Sequence, residues 1–210
     1  MPASDRRPKL RMIAGSGEAV PQPADDALID AVIRGDPNVA GALYDRLFPL
    51  IDATLFRMMG VRGADHDDLV QATFEQVIKT LTTRRFARAC SLRTWASSIA
   101  ANVGLNALRS RIRERKVVDR NQNATEAGER SFAREDPERD MALREEVAKV
   151  REVLYTMNQQ RAEVLVLHDV LGHDLAEISA LLGVSIAAAQ SRLVRGRHEL
   201  RERLEDGGRA

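Results

Sequence analysis

The chain contains a single cysteine, Cys90, in 210 residues. That excludes an intramolecular disulfide and any cysteine-cluster zinc site. Aromatic residues make up only 4%, too few for the Tyr-, Phe- and Trp-rich strands of a β fold. No apolar run approaches the roughly 20 residues of a membrane span. The first twenty residues carry Asp5, Arg6, Arg7, Lys9 and Arg11, where a secretory signal needs an unbroken apolar stretch; a cytoplasmic location is expected. Nor is there an excess of charge of one sign. Lys+Arg is 32, Asp+Glu is 31 and the net charge is +1, so any electrostatic role must come from how the charges are arranged. What the chain has in abundance is Ala, Leu, Arg and Glu, a composition that favours helix.

Residues 1–24 mix Pro2, Pro8, Pro21, Pro23, Gly15 and Gly17 with scattered charge and read as a disordered N-terminal extension. Helical periodicity begins at Asp25. A short helix carries Leu28, Ile29, Val32 and Ile33 and stops near Gly35. Asp36-Pro37 reads as an N-cap with proline at the first helical position. The helix it opens presents Ala40, Leu43, Leu47, Leu50, Ile51 and Leu55 at helical spacing and ends before Gly60. A third helix starts at Asp65, with Leu69, Val70, Phe74, Val77, Ile78 and Leu81 inward and Asp67, Asp68, Gln71 and Glu75 on the other side. After a basic loop, Ser91 caps a fourth helix carrying Leu92, Trp95, Ala96, Ile99, Ala100, Val103 and Leu108.

The apolar period then fades into an acidic stretch, residues 116–137, read as a flexible linker. Beyond it a helix shows Leu143, Val147, Val150, Val153 and Leu154 up to Met157, and a short one covers Ala162–Val170. The expected fold is all-α: two small helical domains joined by a flexible linker, with a helix-turn-helix in the C-terminal one. The boundaries fall at 25–115 and 138–206.

The charges are sorted along this plan. Residues 84–120 hold ten arginines and lysines against Glu114 and Asp119, a net of +8. Residues 122–146 net −4, and residues 185–203 hold five arginines against two glutamates, a net of +3. Each domain therefore ends in a basic helix. Phosphate binding needs local positive charge on one accessible face rather than a basic whole. One such run is the ordinary decoration of a solvated helix; two, in separate domains, point to two contacts on one polyanion.

Residues 174–193 have the spacing of a helix-turn-helix. Asp174 caps the first helix, Gly183 permits the left-handed turn, Val184 fills the corner and Ser185 caps the second helix. Ile178, Leu182 and Leu193 bury the crossing. Ala187, Ala188, Gln190 and Ser191 are small or polar, so the backbone can approach a major groove. Gln190 suits an adenine edge, and Arg192 or Arg195 a guanine or a phosphate. An ordinary helical hairpin with a glycine cap is the competing reading; the added serine cap, apolar corner and arginine run favour DNA.

Three segments together resemble a known family. Asp65-His-Asp-Asp-Leu-Val-Gln-Ala-Thr-Phe74 resembles the signature of region two in bacterial sigma factors. Residues 92–109, beginning Leu92-Arg-Thr-Trp-Ala-Ser-Ser-Ile-Ala-Ala-Asn102, are similar to the segment that follows it, and residues 160–172 with the helix-turn-helix resemble region four. Order and spacing fit the small extracytoplasmic-function type. The resemblance implies that Asp67, Asp68, Gln71 and Glu75 meet the clamp coiled coil of core RNA polymerase. It implies that Phe86, Arg88, Asn102, Asn106, Arg109 and Arg113 engage the −10 element as promoter DNA melts, single-stranded bases being held while arginines follow the backbone. Ser185, Ala188, Gln190, Ser191, Arg192 and Arg195 would hold the −35 element. It further implies control by an anti-sigma factor that clamps the two domains. The sequence departs from the common pattern at Ala101, Asn106, Ser179 and residues 188–190, which leaves the recognised promoter open.

Other chemistry is set aside. No Gly-rich phosphate loop, nucleophile elbow or paired-carboxylate arrangement occurs, so neither enzymatic activity nor a cofactor is expected. His168 and His173 with Asp169 and Asp174 lack metal-ligand spacing. Trp95, at helical spacing with Ile99, reads as core, leaving Phe86 as the better aromatic beside a flipped base. Cys90 reads as a small loop residue, the alternative being a redox sensor of lowered pKa. Two other functions fit parts of the pattern: a helix-turn-helix regulator, and a sigma mimic that sequesters an anti-sigma factor.

Overall fold

A computed structural model describes residues 25–119 and 137–207. The expected disordered extension and most of the expected linker lie outside these residues. Eight α-helices in the described residues run α1 (Asp25–Arg34), α2 (Val39–Met59), α3 (His66–Thr82), α4 (Leu92–Asp119), α5 (Pro137–Thr156), α6 (Gln159–Leu165), α7 (Leu175–Leu182) and α8 (Ile186–Gly207). No strand occurs among them. α6 passes directly into a π turn over Val166–Val170, where the Leu171 N–H reaches back to the Val166 carbonyl at 3.0 Å.

Helices α1–α4 enclose a core of their own. Leu28, Ile29 and Val32 from α1 meet Leu43, Leu47, Ile51 and Leu55 from α2, Val70, Phe74, Val77 and Leu81 from α3, and Leu92, Ala96, Ile99 and Ala100 from α4. These are the three- and four-residue spacings of one helix face. Each large side chain contributes about 1.5–3 kcal/mol on burial. Three details differ from the sequence reading. α2 starts at Val39 rather than Pro37, because the Asp36 carboxylate accepts from the Asn38 N–H at 2.9 Å and holds residues 37 and 38 in a turn. Ala40 is exposed and Leu50 only half-buried, the buried stripe continuing instead through Thr54, Met58 and Met59. Ile78, expected in the core, is exposed.

α4 departs most from expectation. It runs through Asp119, past the boundary placed at 115, and it buries two faces instead of one. Ala96, Ile99 and Ala100 belong to the first core. Ala101, Leu105 and Leu108 turn the other way and join Met58 and Met59 in a second core with Leu154, Tyr155, Met157, Leu165 and Ile178. Leu108 therefore belongs to the core shared with the C-terminal half, not to the first core. The short helix expected over Ala162–Val170 begins at Gln159, because Asn158 caps it by accepting from the Gln160 and Arg161 N–H groups.

Candidate nucleic-acid interface

α3 presents Asp67, Asp68, Gln71 and Glu75 to solvent, as its periodicity predicts. Gln71 donates to the Glu75 carboxylate at 2.9 Å, one turn apart. The N-terminus of α3 is pinned from below. Asp52 on α2 accepts from Arg62 at 3.1 and 2.5 Å and contacts the buried His66 at 2.8 Å. Arg62, then burial in the opposite sense, then His66 set the Asp52 carboxyl, with the net effect of holding it below the usual aspartate value. Arg111 on α4 pairs with Asp65. The acidic face is thus a rigid display rather than a loose helix surface.

The basic loop between α3 and α4 is held in an uncommon backbone. Arg84 and Arg88 both take positive φ, 53° and 54°, a conformation that L residues with long side chains adopt only under constraint. The constraint on Arg88 is visible: its guanidinium pairs with Asp26, at 2.9 Å, and with Asp30, both on α1. Phe86 packs on Trp95 with ring centroids 4.6 Å apart, and both rings lie half-buried against the first core. Trp95, expected in the core from its spacing, lies at the core's edge, half-buried against it. Phe86 is not a free platform either; its outer side borders a cavity of about 360 Å³ lined also by Ile29, Ile33, Arg34 and Arg84.

On α4 the row of polar residues read from the sequence is split. Asn106 and Arg113 are exposed. Asn102 instead donates to Glu163 on α6 at 2.8 Å. Arg109 donates from Nε to the Tyr155 carbonyl at 3.3 Å, while its Nη2 is buried without a hydrogen-bond partner. Burial pulls the Arg109 guanidinium below its usual value, partly offset by Glu163.

The C-terminal motif follows its sequence closely. Asp174 accepts from the Glu177 N–H at 2.8 Å and Glu177 accepts from the Asp174 N–H at 3.2 Å, a complete capping box at the start of α7. Gly183 turns the chain at φ +63°, and the bend from α7 to α8 is 105°, within the range of helix-turn-helix units. Ser179 donates to the Val184 carbonyl across this turn at 2.6 Å, which accounts for a hydroxyl at the crossing. Ser185 accepts from the Ala188 N–H at 3.2 Å.

Ala189 and Leu193 seat α8 on the core. Ser185, Gln190 and Arg195 are left exposed, and Ala188, Ser191 and Arg192 half-buried. Arg195 donates to the Ser191 hydroxyl at 3.1 and 2.6 Å. Ala188, Ser191, Arg192 and Arg195 border a hollow of about 300 Å³ whose other wall is Asn158, Gln160 and Arg161 of the α6 N-terminus. The sequence reading missed that wall; the signal was the Asn158 cap, which fixes where α6 begins. It also missed Ile186 and Val194, 51% and 59% exposed on the same helix. Apolar groups so placed suit thymine methyls. Arg197 is not available for this work, since it pairs with Asp169 at 3.0 and 2.5 Å.

The histidines are drawn to separate partners: His66 to Asp52, His168 to Asp169, His173 to Ser97 and His198 to Glu202. The Cys90 thiol is pushed up by burial and by Glu177, the reverse of the lowered pKa that a reactive thiolate requires. No single helix among the described residues is long and apolar enough to cross a membrane.

Comparisons with known proteins align with this layout. The family model for Sigma-70 region 2 matches residues 43–114, and that for Sigma-70, region 4 matches residues 148–200. The chain is 35% identical to the RNA polymerase sigma factor CarQ of Myxococcus xanthus, over 77% of this chain and 87% of that one. It is 32% identical to the ECF RNA polymerase sigma factor SigG of Mycobacterium tuberculosis, over 95% of this chain and 61% of that one. Among solved structures, CnrH in complex with the cytosolic domain of CnrY has a similar fold, with a TM-score of 0.50 at 24% identity over 87% of this chain and 97% of that one.

Proposed function

The chain belongs to the extracytoplasmic-function group of bacterial sigma-70 factors, and from that premise we propose how its surfaces divide the work of starting transcription. It is an alternative sigma factor, an initiation factor that confers promoter specificity on core RNA polymerase, without catalysis of its own. It works in the cytoplasm, where that polymerase is. The acidic-polar face of α3, Asp67, Asp68, Gln71 and Glu75, docks on the clamp coiled coil, its charge complementing basic groups there. The α3–α4 loop and α4 take the −10 element. Arg113, Asn106 and, once uncovered, Asn102 and Arg109 follow its backbone and base edges, while an unstacked base enters the cavity beside Phe86.

The −35 element lies against α8. Gln190 reads a base edge, and the small residues at 187 and 188 let the backbone approach. Arg192, Arg195 and Arg161 line the hollow where a phosphate sits, beside the α8 N-terminus. An anti-sigma factor opposes this engagement; the CnrH–CnrY complex, whose sigma component has a similar fold, supports such a partner.

The observation that carries the reading is the coexistence in one chain of an exposed acidic α3 face, an adjoining basic loop and helix, and a fully capped helix-turn-helix with its recognition face open. Run-off transcription with purified core polymerase tests it. RNA starting at a defined promoter only when this protein is added is the expected result. A protein that binds DNA without supporting initiation would be an ordinary helix-turn-helix regulator, and one that binds only an anti-sigma factor would be a mimic.

A further inference from the structure

We infer that the chain carries a third DNA contact, the cations of residues 6–11, which act as an N-terminal arm neutralising backbone phosphates beside the −10 element. The inference rests on the promoter reading above and adds to it a stretch that neither family model matches, since region 2 begins at residue 43. Residues 1–24 lie outside the described residues; their sequence, and the place where the chain joins the fold, carry the argument. Arg6, Arg7, Lys9 and Arg11 stand close together with no acid among them. Glu18 is the only charge in the thirteen residues between Arg11 and α1. A compact basic block on a nearly uncharged lead is the pattern of an arm that binds a polyanion.

The lead joins the fold beside the −10 loop. α1 lies along that loop: Asp26 pairs with Arg88 at 2.9 Å and Asp30 pairs with it also, and Ile33 and Arg34 line a cavity with Arg84 and Phe86. Arg84 and Arg85 stand exposed there. Carboxylates in the first turn of α1 would repel a strand of phosphates, but each is paired, Asp25 with Arg46 at 2.9 Å and Asp26 with Arg88. The arm therefore adds four cations to the +8 of residues 84–120, from the end of α1 where Arg88 sits. Thirteen residues reach no further than about 50 Å, so the cations stay within about 15 base pairs of the loop at 3.4 Å per step.

Acidic groups on the chain itself are the rival partner. Asp67, Asp68 and Glu75 face solvent on α3, and Glu75 already accepts from Gln71. Exposed ion pairs of that kind are worth about 0–1 kcal/mol each, and the promoter reading gives this face to the clamp coiled coil. Duplex DNA offers one charge per about 1.7 Å, and each phosphate neutralised releases counterions. The polyanion is the stronger partner, and in the promoter complex it is the one left to the arm.

Promoter binding by the full-length chain, measured with and without core polymerase over a range of salt concentrations, tests this. Arg6→Gln, Arg7→Gln, Lys9→Gln and Arg11→Gln together should reduce the slope of log affinity against log salt by about 3, four phosphate contacts at roughly 0.7–0.9 each. Affinity for core polymerase alone should not change. Arg6→Lys, Arg7→Lys and Arg11→Lys keep the charge and should keep the slope. p-Benzoylphenylalanine in place of Leu10 should photo-crosslink to promoter DNA within about 15 base pairs of the −10 element. Crosslinks confined to the polymerase or to α3 would overturn the proposal. So would tighter binding of the glutamine variant to core polymerase, which would put the arm on the acidic α3 face. An unchanged slope in a protein that starts RNA at its promoter would overturn the arm and leave the promoter reading intact. A slope that falls as expected in a protein inactive in run-off transcription would overturn the promoter reading and leave the DNA contact standing.

Discussion

In the N-terminal half, Leu47, Ile51, Leu55 and Val77 are wholly buried among partners of that half alone. The C-terminal half completes its core only by taking in Met58, Met59, Ala101, Leu105 and Leu108 from the other. The basic faces show the opposite asymmetry. The recognition face of α8 lies open with Gln190 and Arg195 exposed, while the α4 row is half occupied by Glu163 and the Tyr155 carbonyl. The self-sufficient half is thus the one whose proposed DNA face is partly covered. The seam between the halves joins them in folding and covers Asn102 and Arg109, because the helix that lends the apolar residues also carries those polar ones.

The strongest way to break that comparison is Leu105→Ala. Truncating a leucine in a close-packed core costs about 2–5 kcal/mol, so a large fall in the urea midpoint is expected. The single tryptophan, Trp95, reports on the N-terminal half, whereas far-UV circular dichroism reports on all helices. With a shared core the two signals should move together. Unfolding curves that separate, with the tryptophan signal unmoved, would mean that the halves fold independently and that the borrowed residues matter little.

The comparison between the two DNA faces is sharpened by Gln190→Ala and Arg113→Ala. Loss of a base-edge contact costs about 1–3 kcal/mol at one base pair, so Gln190→Ala should relax preference at a single upstream position. Arg113, which projects from the exposed part of the α4 row, should weaken binding on every promoter alike and reduce the salt slope by about one. Binding of the polymerase-bound protein to a set of single-base promoter variants at several salt concentrations measures both. A Gln190→Ala effect spread evenly over all positions would remove the division of labour.

Much of this architecture was legible in the sequence because local rules governed it. The Ser91, Asp174 and Ser185 caps, the left-handed Gly183 and the acidic face of α3 each follow from a few neighbouring residues, and each stands where those residues predict. What was not legible is what depends on contacts between distant segments. Nothing local says that Leu108 belongs to the core shared with the C-terminal half, since an apolar position at helical spacing does not name its partner. Asn102 and Arg109 looked like open groups on a basic helix, yet Glu163 and the Tyr155 carbonyl that occupy them lie 61 and 46 residues away. The uncommon backbone at Arg88 was hidden for the same reason, its Asp26 and Asp30 anchors sitting on α1.

Caps give a smaller test of how far each half governs itself. Replacing an N-cap Asp or Asn by alanine costs about 1 kcal/mol, within a range of roughly 0.5–2. Asp174→Ala removes half of the α7 capping box, and Asn158→Ala releases the Gln160 and Arg161 N–H groups at the start of α6. Both caps lie in the half that relies on the shared core. Each should lower the midpoint by a similar modest amount, and the sum should hold in the double variant, because the two sites have no hydrogen-bond partner in common. Strong non-additivity would mean that α6 and α7 respond as one unit.

The smallest expected effect compares one acidic anchor from each half. Asp52 is held below the ordinary aspartate value of 3.8 chiefly by the Arg62 hydrogen bond, against burial and with help from His66. Asp169 is held below it chiefly by Arg197, against burial and with help from His168. A carboxylate whose folded pKa is depressed stabilises the protein fully above its unfolded value, and the contribution disappears as pH falls through the folded one. Both contributions are therefore intact at pH 7 and fade only below pH 3.8. Asp52→Asn and Asp169→Asn should each lower the melting temperature slightly at pH 7 and flatten the acid limb. Wild type and variants should converge at the lowest pH, and the Asp52 effect should stay small because Arg62 is more than half exposed and solvent screens the pair. If Asp169→Asn flattened the acid limb no more than a control substitution at exposed Asp206, the Arg197 pair would hold α8 through geometry rather than charge.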